Sequence, residues 1–377
     1  NVEEVNVIYI NILLSIVALR ILPNRKWQVT VGSRLFIITR QNLMKTILAA
    51  EILFVTICRK YTVGDDLRMY VRLFEAVKKY SWRDLLNSKF ETGYLIFTWA
   101  IRELSNNAQF FIVVTGILTV GLYLREIFRK SYDVFLVMYL ALTFGFFFFQ
   151  FSILRQAIAM ALFMIAVDKL ENRKWIEYIL LVLVAGTFHA SAFVCLLLVF
   201  VSFLPWNDHI LKLMWIVEVI VLVTLKGILE IIVYYLPRYE YILSENTSYK
   251  LGYIIRIIII CGLYVASVFF CKIGGKDYKL YLKKDDDKQG NFTLIMGSIG
   301  MTLMPMINYF ESAQRMTYYF VPYVFWSVDL AARKSKWMRG LLPVIYIIMA
   351  IYYMFCFTGI SSVHDAFGTN DYLFFWQ

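Results

Sequence analysis

Arg155, Gln156, His189 and Ser191 stand at the two open ends of one apolar hairpin in this 377-residue sequence. From Ser152 the chain reads as an apolar helix opening on Arg155-Gln156, a charged turn at Lys169 to Lys174, and a second apolar run closing on Phe188-His189-Ala190-Ser191-Ala192. Each run is close to membrane-spanning length. The turn lies on one side of the membrane, so Arg155 and His189 lie together on the other. A guanidinium there offers a planar fork of donors suited to phosphate. Gln156 adds a neutral donor, and the first helical turn adds amide dipoles of the right sign. The plain alternative is an arginine that snorkels from a helix end. His189 is a candidate proton acceptor or phosphate contact, because histidine is the usual side chain for proton transfer near neutral pH. Its plain alternative is a buried imidazole satisfied by a neighbouring carbonyl.

Further residues are capable of the same chemistry. Arg315 opens an apolar run in E-S-A-Q-R-M-T-Y-Y-F and is either a second anion clamp or the salt-bridge partner of Glu311, four residues earlier. Arg256 sits about one turn inside its own run and is a further cation for a shared site. Asp65-Asp66 and Glu91 are loop carboxylates. They read either as ordinary turn residues or as hydrogen-bond acceptors for substrate hydroxyls, with a general base among them. Two adjacent carboxylates without a third ligand make a weak metal site, and no metal or other cofactor is assigned. Tyr94, Tyr318 and Tyr319 serve either lipid-belt packing or stacking on sugar rings. The five cysteines, Cys58, Cys195, Cys261, Cys271 and Cys356, have no paired spacing, which argues against a disulfide framework or a zinc site.

The elements that must hold these residues are membrane helices. The sequence is 60% hydrophobic and only 17% charged, far from the roughly quarter-charged soluble average. Apolar runs of helical length exclude a barrel. The expected architecture is an all-α polytopic membrane protein, a single integral domain over residues 1–377 with about twelve spans. Their placement is 5–22, 44–58, 107–124, 134–151, 153–169, 175–188, 190–204, 210–226, 251–271, 292–309, 315–332 and 340–358. The first run reads as a retained span, not a cleavable signal. The net charge of +11 is lysine and arginine of cytoplasmic loops, not a nucleic-acid footprint. The basic loops are Arg20 to Lys45, Arg125 to Asp133, Lys169 to Lys174, the 272–290 loop and Arg333 to Arg339. Residues 59–106 form an outer loop in which Glu91–Leu104 is too short to span and lies in the interface or re-enters. Residues 227–250 form a second outer interfacial segment. Asp65, Asp66, Glu91, Arg155, His189, Glu311 and Arg315 then all face outward. Glu51, in mid-span, must be protonated or paired, and an arginine is the candidate partner.

The same residues resemble a known family. R-Q-A-I-A from Arg155, a basic turn and F-H-A-S-A, together with V-G-D-D-x-x-x-Y-x-x-x-F from Val63, E-T-G-Y from Glu91 and R-M-T-Y-Y-F from Arg315, are similar to the EpsG-type family of Wzy-like polysaccharide polymerases. The resemblance covers roughly Leu48 to Phe320. It implies a GT-C-like fold and an inverting glycosyltransferase of the bacterial inner membrane, active on the outer face. Its donor and acceptor would be undecaprenyl-diphosphate-linked oligosaccharides, and a flippase and a chain-length regulator would be its partners. In that chemistry Arg155 and Arg315 would support the leaving diphosphate. His189 would be the base, with Asp65 or Asp66 second. Another lipid-linked sugar transferase centred on the outer aspartates, or a flippase, remain the alternatives.

Overall fold

In the computed structural model the described residues are 7–23, 26–31, 34–81, 83–84, 87–235, 251–278, 284–305, 315–357 and 372–377. Helices occupy every apolar run named above. Three described helices, Ala108–Lys130, Ile254–Lys272 and Lys336–Phe357, are long and apolar enough to cross a membrane. A bent pair, Val134–Thr143 with Phe146–Ser152, makes a fourth if taken as one span. The chain is built as a helical membrane protein. It divides into two compact units, one of residues 1–166, 179–193 and 346–377, the other of residues 167–178 and 194–345.

The first unit opens with α1 (Val7–Ile21), strands β1 (Lys26–Val31) and β2 (Arg34–Thr39), and α2 (Arg40–Ile57). Thr39 caps α2 by accepting from the Asn42 amide. Then come α3 (Leu67–Ala76), α4 (Thr92–Leu104), α5 (Ala108–Lys130), α6 (Val134–Thr143), the short α7 (Phe149–Ser152), α8 (Leu154–Glu171) and α9 (Trp175–Phe188), the last two belonging to this unit up to residue 166 and from residue 179. α2 and α5 pack antiparallel. At one end Lys45 lies over the Phe128 ring, 5.4 Å from its centroid. At the other Gln109 donates to the Ile57 carbonyl at 2.5 Å. Lys45 and Ile57, both on α2, are separated by about 18 Å along the helix. The basic loops thus share one end of the unit: Arg20 pairs with Asp133 at 3.4 Å.

The opposite end is organised by α3. Its Leu67, Tyr70, Val71 and Phe74 are buried while Arg68 and Arg72 stay exposed, the pattern of a helix lying flat on a core. With Tyr94, Leu95, Phe111, Leu154 and Ile158 they form one apolar cluster that ties α3 and α4 to the start of α8.

The second unit contains α10 (Leu198–Phe203), α11 (Asp208–Tyr235), α12 (Leu251–Tyr278), α13 (Lys284–Leu303) and α14 (Val321–Lys334). α14 packs on both α12 and α13 and is buried from Val321 to Ala332. Glu218 of α11 accepts from Ser298 Oγ at 2.8 Å and Thr302 Oγ1 at 2.7 Å of α13. α15 (Lys336–Phe357) begins among the second unit's residues and ends among the first's.

Several expectations change. The basic stretch after α1 holds a two-stranded antiparallel sheet pairing Trp27 with Ile38 and Val29 with Phe36. Its alternating β-branched and aromatic residues favour strand, so the architecture is helical with one small hairpin. The run at 134–151 is broken, because Gly145 takes a left-handed φ of 83° and the two pieces turn by 58°. α11 passes through Lys226 and Gly227 to Tyr235 with no break. The loop expected at 272–290 is helical up to Tyr278 and again from Lys284. Residues 190–197 are a 3-10 helix before α10. Glu51 faces the Ser15 hydroxyl of α1, not an arginine. Glu311 lies outside the described residues.

Candidate functional site

Glu91 precedes α4 in extended conformation, in the position that usually caps a helix, yet its side chain makes no cap. The carboxylate reaches away from its own helix to two others. One oxygen, Oε2, accepts from Nη1 of Arg155 in the first turn of α8. The other, Oε1, lies 3.2 Å from Nδ1 of His189, just past the end of α9. The Ala190 amide also donates to Oε1, at 3.2 Å. All three side chains are mostly buried, with 16–19% of each exposed.

The backbone fixes this meeting. His189 continues the last turn of α9 through its amide to the Ala185 carbonyl, 3.0 Å away. The start of α4 approaches the end of α9 closely at Gly93: a Cβ there would overlap the Thr187 side chain and lie 2.9 Å from the Thr187 carbonyl oxygen. Arg155 lies over the Phe90 ring at 5.0 Å and the Tyr70 ring at 6.0 Å. These faces hold the guanidinium by cation–π attraction.

Electrostatics follow from the geometry. Burial is the largest influence on Glu91 and raises its pKa. The His189 imidazole and the Arg155 charge together outweigh it and hold the carboxyl at about 2. Glu91 is therefore ionised at neutral pH and acts only as an acceptor. Nδ1 of His189 faces the carboxylate at ion-pair distance but short of hydrogen-bond geometry, and a tautomer with its proton on Nδ1 would close that bond and leave Nε2 as the lone-pair nitrogen. Arg155 spends Nη1 on Glu91, while its buried Nε has no hydrogen-bond partner among the described residues. A guanidinium with an idle donor beside a carboxylate-oriented imidazole is suited to an anionic leaving group next to a hydroxyl that loses its proton.

The EpsG family pattern matches residues 44–374, which includes all of these positions. The chain belongs to the EpsG family. This is the family of Wzy-like polysaccharide polymerases, and it makes the protein one of polysaccharide-polymerase type. No curated protein and no solved structure matches the chain.

Around this centre the EpsG-family chain places the other candidates as follows. Gln156 is buried, about 100° around α8 from Arg155, and so faces a different direction. Asp65 is exposed, and its amide donates to Ser152 Oγ at 2.9 Å. The preceding Gly64 has a φ of 107° and packs against the Phe151 carbonyl. Asp66 is half-buried and starts α3 without capping it. Tyr94 is fully buried, edge-on to Tyr70 at 5.7 Å. Ser191 is half-buried in the turn after His189. The described residues contain no group of three or more potential metal ligands.

Arg256, Arg315, Tyr318 and Tyr319 belong to the second unit. Arg256 is buried in α12 and donates from Nη1 to the Tyr318 hydroxyl at 3.3 Å. Tyr319 is buried too, and Arg315 is exposed in the helical stretch 315–317 that precedes the turn into α14. Sequence reasoning had set Glu91 among sugar-binding residues and overlooked Phe90 and Gly93. The available clue was E-T-G at a helix start, an acidic residue next to the one small residue that permits close approach.

Proposed function

We propose that this protein joins oligosaccharide repeat units carried on undecaprenyl diphosphate into a surface polysaccharide, on the outer face of the bacterial cytoplasmic membrane. The observation that carries the proposal is Glu91 shared between Arg155 and His189. In the reaction, a hydroxyl of the acceptor unit attacks the anomeric carbon of the growing chain. The new glycosidic bond forms as the bond from that carbon to the diphosphate oxygen breaks. The hydroxyl proton goes to Nε2 of His189, and Glu91 steadies the imidazolium that results. The leaving undecaprenyl diphosphate takes the bonding electron pair, and Arg155 meets the growing negative charge with its fork of donors.

Attack from the opposite face inverts the anomeric centre. A GT-C-like arrangement of about twelve spans, with 59–106 and 227–250 at the outer surface, would leave the site open to lipid from the side. Within the second unit, Arg315 is the exposed cation that would contact a lipid-linked sugar, while Arg256, Tyr318 and Tyr319 are buried and would serve packing. Asp65 and Asp66 would border the sugar path, with fully buried Tyr94 packed against Tyr70. A flippase would supply the units and a chain-length regulator would act on the product.

The test is a reaction of purified protein with one lipid-linked repeat unit, scored as a ladder of longer chains. The wild type should form a ladder, and His189→Ala should not. A wild-type ladder from His189→Ala at equal protein level would remove His189 as base and leave Asp65 and Asp66 as candidates. Lipid-linked unit that crosses the bilayer without ever lengthening would replace polymerase with flippase.

A further inference from the structure

The basic end of the first unit, away from the Glu91 centre, holds a cavity of about 300 Å³ between the end of α1 and the starts of α2 and α6. Its polar wall is Arg20, Arg40, Gln41 and Tyr132, with Asp133 as the one carboxylate, and Met44 and Phe135 give it an apolar floor. Arg40 spends Nη1 on the Leu22 and Arg20 carbonyls, at 3.1 and 3.4 Å. That contact ties it to the end of α1. Arg20 lies over the Phe135 ring at 4.8 Å and reaches Asp133 at 3.4 Å. Two guanidiniums and one carboxylate thus line the cavity, and Lys45 adds to the positive field from the same end of the bundle.

We propose that this cavity seats the anionic headgroup of a membrane phospholipid. The fixed cations match a phosphodiester. The apolar floor matches the glycerol and first acyl carbons, which a free phosphate lacks. The level is right as well, since the basic loops set this end at the cytoplasmic interface, where pockets between helices with basic walls collect anionic lipid. The volume suits a headgroup and is too small for a folded protein partner. The site is separate from the polymerase centre and does not depend on it.

The experiment uses the whole protein in phosphatidylcholine nanodiscs, titrated with spin-labelled phosphatidylglycerol and, in parallel, spin-labelled phosphatidylcholine. Wild type should hold phosphatidylglycerol in preference, and Arg20→Gln and Arg40→Gln should each weaken it about fivefold. Because Arg40 also ties down α1, Gln41→Glu serves as a second variant: it keeps that contact, adds a repelling carboxylate and should weaken binding to a similar degree. Equal retention of the two lipids by wild type would overturn the proposal. So would unchanged binding in Gln41→Glu together with both arginine variants. Full displacement of phosphatidylglycerol by inorganic phosphate would overturn the lipid assignment in favour of a free-anion site.

Discussion

His189 Nδ1 lies 3.2 Å from Glu91 Oε1, so the ring turns Nδ1 toward the carboxylate and Nε2 away from it. The second carboxylate oxygen holds Arg155. One side chain thus orients the base and positions the cation. Glu91→Gln keeps the shape but removes the charge, and an amide presents either end to the imidazole. Chain growth should fall by on the order of a hundredfold, while Glu91→Asp, shorter by one methylene, should recover part of it. Polymer ladders at matched protein level measure this, and near-normal ladders from Glu91→Gln would show that the carboxylate has no role in positioning.

Arg155→Lys keeps one charge and loses the fork. If the guanidinium supports the departing diphosphate, activity should drop by on the order of a hundredfold or more, with insertion near normal. Arg155→Ala should also cost about 2 kcal/mol of stability, because Glu91 would stay ionised, mostly buried and deprived of its cation. Removing both in Arg155→Ala/Glu91→Ala should restore stability without restoring ladders. Thermal unfolding in detergent of the two single variants and the double variant checks the coupling.

The ion pair also sets an acid limit. The Glu91 carboxyl is held at about 2, below the ordinary 4.5. A depressed carboxylate pKa gives stability that is fully present above the unfolded value and is lost as pH falls through the folded one. The contribution should therefore be constant from neutral pH down to about 5 and disappear between about 4.5 and 2. Comparing the unfolding midpoint of wild type and Glu91→Gln across that range isolates it. The gap between them should close as the pH drops, and a gap that is constant down to the lowest pH would contradict the assignment.

Gly93 sits where α4 meets Thr187. Gly93→Ala forces the two segments apart at a cost of about 1–3 kcal/mol and pulls Glu91 away from His189. Activity should fall more steeply than stability. Gly121, whose added Cβ meets nothing within 4 Å, is the control: Gly121→Ala should leave ladders unchanged. Equal behaviour of the two variants would separate the close approach from catalysis.

Topology can be read by labelling. Cysteine at Asn106, exposed between α4 and α5, should react with a membrane-impermeant reagent in intact cells. Cysteine at Asn172, in the turn between α8 and α9, should react only after the membrane is opened. The reverse pattern would invert the proposed orientation and place Arg155 and His189 in the cytoplasm.

The sequence alone determined the helical membrane class, the positions of the apolar runs and the meeting of the hairpin's open ends. Hydropathy and charge are properties of contiguous residues, and a run of helical length must return its chain to a known end. That argument places Arg155 near His189, and their 34-residue separation poses no obstacle. It cannot say what stands between them. Glu91 is 64 residues from Arg155 and 99 from Ala190, in a helix too short to announce its direction. Only the packing of α3 and α4 on the start of α8 aims that carboxylate. The breaks at Gly145 and at 190–197, the strand pair after α1 and the unbroken α11 were likewise decided by tertiary structure. A hydropathy window averages over a kink and registers polarity but not the partner that satisfies it.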